Sequence, residues 1–274
     1  MLNGYRQYFG FSSETYKLTL LGRTLYLMTS PEEIMRIYRN TEELTIDTHI
    51  RHTLTSLGAS SSAVDRWMPP RSPEGNNNRA MDSLKAKTNE FTHLGSRICQ
   101  QQLLPGKELG HLQKAFMSNI HKSLHWHTIS SKITLASSTQ SKTISLLGWC
   151  RDVLLESSTR AFFGVQLLQI NPNLFQSFYD FDACSWKLHY GYPRFLSGEL
   201  YAARDIIIET LTAYFRLPKA KRPDAAFIIN RLEDEMRQLE IGDKDIAALT
   251  MPLFWVYVAP PFLKQSSRIQ ANAS

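Results

Sequence analysis

Apolar and polar positions alternate at the start of the chain and then change period. In YKLTL, Tyr16, Leu18 and Leu20 alternate with Lys17 and Thr19, the two-residue period of a half-buried strand. Gly22-Arg23 reads as a short turn, and TLYLM from Thr24 as the returning strand. Ser30-Pro31-Glu32-Glu33 signals a helix start. Ser30 can cap, Pro31 suits the first helical position, and Glu33 completes a capping box. Ile34, Ile37 and Tyr38 give that helix an apolar face.

Further along the period is 3.6. Leu109, Leu112, Phe116, Ile120 and Leu124 share one helical stripe. LLGWCRDVLLESSTRAFFG reads as a helix that Gly164 closes. Asn171-Pro172 opens an aromatic helix through Phe175, Phe178, Tyr179 and Trp186. In GELYAARDIIIETLTAYFRL, Leu200, Ala203, Ile207 and Leu211 lie on one face. Pro223 opens a helix that buries Phe227, Ile228, Leu232 and Met236; Gly242 ends it and Asp243 caps the next. Residues 247–262 are apolar but contain Pro252, Pro260 and Pro261, so they read as a core helix, not a membrane span. Two stretches break the pattern. Residues 58–80 are rich in Ser, Pro and Asn, and residues 128–145 hold ten Ser or Thr in eighteen positions; both read as loops. The expected fold class is mainly α with a small N-terminal β-sheet.

The length of 274 residues and 43% hydrophobic content allow a substantial core. The net charge of +6 is too mild to point to nucleic acid. Residues 109–151 contain no acid but hold Lys114, Lys122, Lys132, Lys142 and Arg151. This reads as a solvated face and a polar loop, with an anionic or membrane partner as the alternative. Cys99, Cys150 and Cys184 are widely spaced and odd in number, which argues against a disulfide framework or structural zinc and for reduced thiols. The start shows no apolar signal-peptide core.

Chemistry-bearing patterns are few. His121 and His125 lie four apart, with His127 beyond, a spacing that can place two imidazoles on one metal. No third ligand is evident, and Lys122 stands where a metalloprotease motif needs glutamate, so the group reads as surface histidines with no metal site. Residues 174–195 carry Phe175, Phe178, Tyr179, Phe181, Trp186, Tyr190, Tyr192 and Phe195. This density suits either an apolar ligand pocket or a core helix, and spacing does not decide between them. No P-loop, nucleophile elbow, dinucleotide fingerprint or HExxH occurs, so no catalytic residue is assigned.

Several strings resemble the front half of a cytochrome P-450, nearest to the fungal group related to sterol 7-alpha-hydroxylase and prostacyclin synthase. They are YKLTLLGRTLYLMTSPEEIMRIYRNTEELTID, QLLPGKELG, WCRDVLLESSTRAFFG, NPNLFQSFYDFDACSWKLHYGYPRF, YAARD and LEDEMRQLEIGDKDIAALTMPLFWV, in family order over residues 1–256. The resemblance implies an incomplete P-450 fold, from helix B at Pro31 to the start of helix I at 243–256. Residues 257–274 form a divergent tail expected to be disordered. The segment around His93 to Gln102 resembles helix C, 149–164 helix E, the aromatic segment helix F, and 198–217 helix G. Helices F and G roof the family's substrate pocket, which makes Phe175, Phe178, Tyr179 and Trp186 the expected pocket residues.

The family is a haem-thiolate monooxygenase group that oxidises sterols, fatty acids or other lipophilic molecules with an electron-donor reductase, at the cytosolic face of the endoplasmic reticulum. The resemblance implies haem as cofactor and makes His93 and Arg97 candidate haem-propionate contacts. It also requires a cysteine in FxxGxxxCxG. Cys99 has Gly95 at the right offset, but Thr92 and Gln101 stand at the Phe and Gly positions; Cys150 and Cys184 match nothing. Glu33-Ile34-Met35-Arg36 has the letters of the family's ExxR but lies on the first helix, and Trp67-x-x-x-Arg71 mimics a helix-C motif across Pro69-Pro70. The expectation is a truncated P-450-like chain that is inactive because the haem-ligand loop and the ExxR helix are missing. Lacking the family's membrane anchor, it is expected in the cytoplasm. A non-enzymatic helical remnant that binds a lipid or a partner is the alternative.

Overall fold

The computed structural model describes residues 15–20, 23–40, 46–69, 95, 97–125, 129, 133–189 and 192–255. Over these residues the chain is mainly helical, with two small two-stranded sheets. It divides into two compact units, Met1–Ile50 and Arg51–Ser274. The tail from 257 lies outside the described residues.

The first unit holds an antiparallel hairpin of β1 (Tyr16–Leu20) and β2 (Arg23–Leu27). Leu20 pairs with Arg23, so Arg23 belongs to the ladder and not to the turn expected from Gly22-Arg23. Lys17 and Thr19 are exposed, as the alternation requires. Helix α1 (Pro31–Arg39) starts where the sequence places it, with Ser30 at the N-cap and Pro31 at the first position. The capping box does not form. The Thr15 hydroxyl donates to Glu33 Oε2 at 2.6 Å instead, and Ser30 makes no side-chain cap bond. The apolar face is not buried: Ile34 and Ile37 are each 37% exposed and Tyr38 is 77% exposed.

Helix α2 (Asp47–Ser56) leads to α3 (Ser61–Trp67), inside the stretch read from composition as loop. The correction has a local cause. Ser60 is a poor interior residue but a good cap, and its hydroxyl accepts from Ala63 N at 3.2 Å. Ala63 and Val64 then bury. Helix α4 spans residues 97–103 and α5 is Lys107–Ser123. The expected stripe lies on α5, although none of its residues is fully buried. The second supposed loop contains a bulged hairpin, β3 (Thr134–Ser137) with β4 (Lys142–Ile144). Thr is common in loops and equally at home in strands, so composition could not separate the two.

One long helical run follows. It comprises α6 (Leu146–Trp149), a π turn (Cys150–Leu154) and α7 (Leu155–Phe163). Gly164 closes it at φ +71°, a conformation that favours glycine. Next come α8 (Gln166–Ile170), α9 (Leu174–Cys184), α10 (Trp186–His189), α11 (Gly198–Arg216), α12 (Phe227–Gln238) and α13 (Asp243–Leu253). Pro223 does not open α12. Residues 222–226 form a turn that seats the buried Arg222, and the helix begins four residues later, anchored where Ala226 N donates to Phe162 O at 2.8 Å. Asp243 is the first residue of α13, and Gly242 holds the cap position.

Helix α11 packs against α9 and also against α13. Leu200, Ala203, Ile207 and Leu211 are buried on it as their spacing predicts. Phe163, Phe178 and Tyr214 join an edge-to-face aromatic network through Phe254 at the end of α13. Long-range polar ties close the second unit. Ser60 donates from N and Oγ to the Asp245 carboxylate at 2.7 and 2.9 Å, and Arg204 donates to Ser56 O at 2.8 Å.

Candidate functional site

The described aromatic residues of the segment divide between the core and the surface. Phe178 and Phe181 are buried in the core. Phe178 meets Phe254 at 5.4 Å and Phe181 meets Trp255 at 5.3 Å, both edge-on. Trp255 Nε1 donates to Asp182 Oδ1 at 2.9 Å, which pins α9 to the end of α13. Phe175 is half-buried. Trp186 lies beyond the break at Ser185, is 45% exposed, and stands edge-on to Tyr192 at 5.1 Å. Phe195 is 84% exposed, and Tyr190 falls outside the described residues. The reason is geometric: positions three apart share a helix face, so 178 and 181 turn inward together, while 186 follows a change of direction.

Tyr179 has a separate task. Its hydroxyl donates to the Arg151 carbonyl at 3.0 Å, and the Arg151 guanidinium lies 3.5 Å over its ring. That carbonyl belongs to the π turn, where the regular helical ladder is interrupted. Tyr179 therefore braces an irregular turn from the neighbouring helix. Burial, reinforced by the Asp152 carboxylate, pushes its phenol up to about 12.

Of the two residues expected to contact haem, one lies among the described residues. Arg97 is exposed on α4, and His93 lies outside the described residues. A proximal cysteine must be a thiolate. Burial pushes the Cys99 thiol up. Cys184 is pushed up by burial and then by Glu199, to which its Sγ donates at 3.8 Å. Cys150 sits half-buried within the π turn, with none of the family's flanking residues. The cysteines present do not fit a haem thiolate site. Glu33 is engaged by Thr15 and Arg36 is exposed, so their ExxR letters do not form a helix-K pair here. Trp67 ends α3, while Arg71 lies outside the described residues.

His121 and His125 are both exposed, with ring centroids 5.2 Å apart. Among the described residues no group of three or more His, Cys, Asp and Glu could hold a metal ion, and no helix is long and apolar enough to cross a membrane. His127 is outside the described set.

A cleft of about 490 Å³ opens between α5 and the run from α6 to α7. Asn119, Lys122 and Ser123 line it from α5, and Trp149, Asp152, Val153, Glu156, Ser157 and Arg160 from the opposite run. Ser157 is 1% exposed, and its hydroxyl has no hydrogen-bond partner. Sequence reading did not find this cleft. The Glu156/Arg160 pair, four residues apart, was legible; the π turn that shapes the opposite wall leaves no periodic signature.

No protein-family model matches the chain, and no curated protein matches it.

Proposed function

We propose that this chain is a cytochrome P-450-like helical domain whose 274 residues do not by themselves form a haem-thiolate monooxygenase. The element order carries the reading. A hairpin, a Pro-initiated helix and then α7, α9, α11 and α13 follow in the sequence that the family resemblance implies. The pairing of α9 with α11, and of α11 with α13, is what a two-helix roof over a central helix requires. Haem, a reductase partner, a lipophilic substrate and the endoplasmic reticulum face belong to the family and come to this chain only with that reading.

The test is spectroscopic. The 274-residue chain is expressed with haem supplied, reduced, and treated with carbon monoxide. The expected result is no thiolate-type Soret band, because no cysteine lies in the ligand motif and the thiols of Cys99 and Cys184 are held toward the protonated form. A thiolate-type band would overturn the inactivity.

A second reading rests on a different observation. Trp186, Tyr192, Phe195 and Leu196 are each exposed along the connection from α9 to α11, and Trp186 and Tyr192 stand edge-on to each other. Exposed large apolar side chains of this kind suit a non-enzymatic lipid- or partner-binding role. A monodisperse protein that unfolds cooperatively favours this reading, and insoluble protein counts against it.

A further inference from the structure

We propose that the cleft between α5 and the π turn binds a small neutral molecule with an aromatic or apolar body and one hydroxyl group. The site is independent of the P-450-like reading and involves no residue of the aromatic segment.

The charges on the lining define what the ligand lacks. Glu156 and Arg160 pair across one helical turn at 2.8 Å. Lys122 and Asp152 each have a partner within the protein. The lining thus carries two cations and two anions, all of them engaged. A charged ligand gives up hydration here and meets no spare counter-charge, or else displaces an existing contact. A neutral ligand bears neither cost.

The remaining lining defines what the ligand has. Ile133, Trp149, Val153 and Val165 supply an apolar surface with one flat ring. Ser157 is buried on the same lining, and among the described residues it is the only lining residue whose buried hydroxyl has no partner. Ser123, on the facing helix, turns its hydroxyl onto the Asn119 carbonyl four residues back at 3.1 Å. For Ser157 the carbonyl four residues back is that of Val153, within the π turn, and no such bond forms. A ligand hydroxyl that bonds Ser157 displaces no bond within the protein, so its gain is not offset on the protein side. The π turn also places Asp152 and Val153 on this lining, and such turns are frequent at functional sites. Tyr179 braces that turn from the neighbouring helix. A cleft of about 490 Å³ lies within the usual range for small-molecule sites.

The experiment is ligand-observed saturation-transfer NMR on the full chain, titrated with 2-phenylethanol as probe. Phenylacetate and 2-phenylethylammonium are charged controls of similar shape, and ethylbenzene is the control without a hydroxyl. Far-UV circular dichroism and a cooperative melt confirm folding of each variant. The expected result is that 2-phenylethanol binds about tenfold more tightly than either charged control and about fivefold more tightly than ethylbenzene. Ser157→Ala is expected to weaken 2-phenylethanol about fivefold and to leave ethylbenzene unchanged, which a merely structural role for Ser157 would not produce. It removes a partnerless buried hydroxyl, so it is expected to fold at least as stably as the parent. Val165→Trp enlarges a lining residue that is 38% exposed, and it is expected to weaken both neutral probes by occupying the cleft. No transfer to 2-phenylethanol at millimolar concentration overturns the proposal. So does a charged control that binds as tightly, and so does binding of 2-phenylethanol that neither folded variant changes.

Discussion

At Tyr179 one hydroxyl links two helices and sets a pH limit. Replacing it by phenylalanine removes the bond to the Arg151 carbonyl and is expected to cost about 1 kcal/mol, read from urea unfolding. The phenol ionises at about 12 in the folded chain, above its ordinary value near 10. Its stabilising effect is therefore complete below pH 10 and is lost as the pH rises from 10 toward 12, because the unfolded chain gives up the proton first. Denaturation curves in this window should fall less steeply for Tyr179→Phe than for the parent; identical slopes would refute the linkage. Gly164 is the second informative residue. It has φ +71°, and an added Cβ would lie 2.2 Å from Asp224 Oδ1, whose carboxylate also accepts from Val165 N. Gly164→Ala is expected to destabilise by about 1–3 kcal/mol, and thermal melts would show it. The sequence flagged this glycine as a helix stop, while the carboxylate that crowds it comes from residue 224.

At the scale of elements, the turn between α11 and α12 is held by a buried ion pair. The Arg222 and Glu233 side chains are 0% and 2% exposed, and Arg222 Nη2 donates to both carboxylate oxygens at 3.1 and 2.9 Å. Arg237 adds a second donor to Glu233 at 2.9 Å. Removing one partner leaves a buried charge with less compensation, so Arg222→Met is expected to cost about 3 kcal/mol by chemical denaturation. The double substitution Arg222→Met with Glu233→Leu should recover most of that loss. Failure to recover would show that the pair does more than neutralise itself. This pairing explains why the sequence misplaced the start of α12. Pro223 carries the local helix-start signal, but seating Arg222 beneath the helix takes up the residues that the signal would have used.

At the scale of the molecule, burial is uneven. Helix α1 buries none of its residues, whereas α11 buries ten and α13 seven. Local stability follows burial and backbone protection. Amide hydrogen exchange is expected to be fast over α1 and slowest in α11 and α13. Comparable protection in both regions would contradict this. The P-450-like reading also belongs to this scale, since it rests on the order and packing of helices and not on any catalytic residue.

The repeating features were legible from sequence: the hairpin, the helix at Pro31, the 3.6 period of α5, α7, α11 and α12, and the buried set Leu200, Ala203, Ile207 and Leu211. Periodicity reports how a side chain faces relative to its own backbone, so it finds elements and their inner faces. It does not report what lies opposite. Only the tertiary structure decided that Phe178 and Phe181 pack on Phe254 and Trp255, that Tyr179 braces a π turn, and that Lys122 and Asp152 line the same cleft. The two Ser-rich stretches show the same limit, because a cap and a strand residue look like loop until their hydrogen-bond partners are known. Those partners are often many residues away, and chain folding alone brings them together.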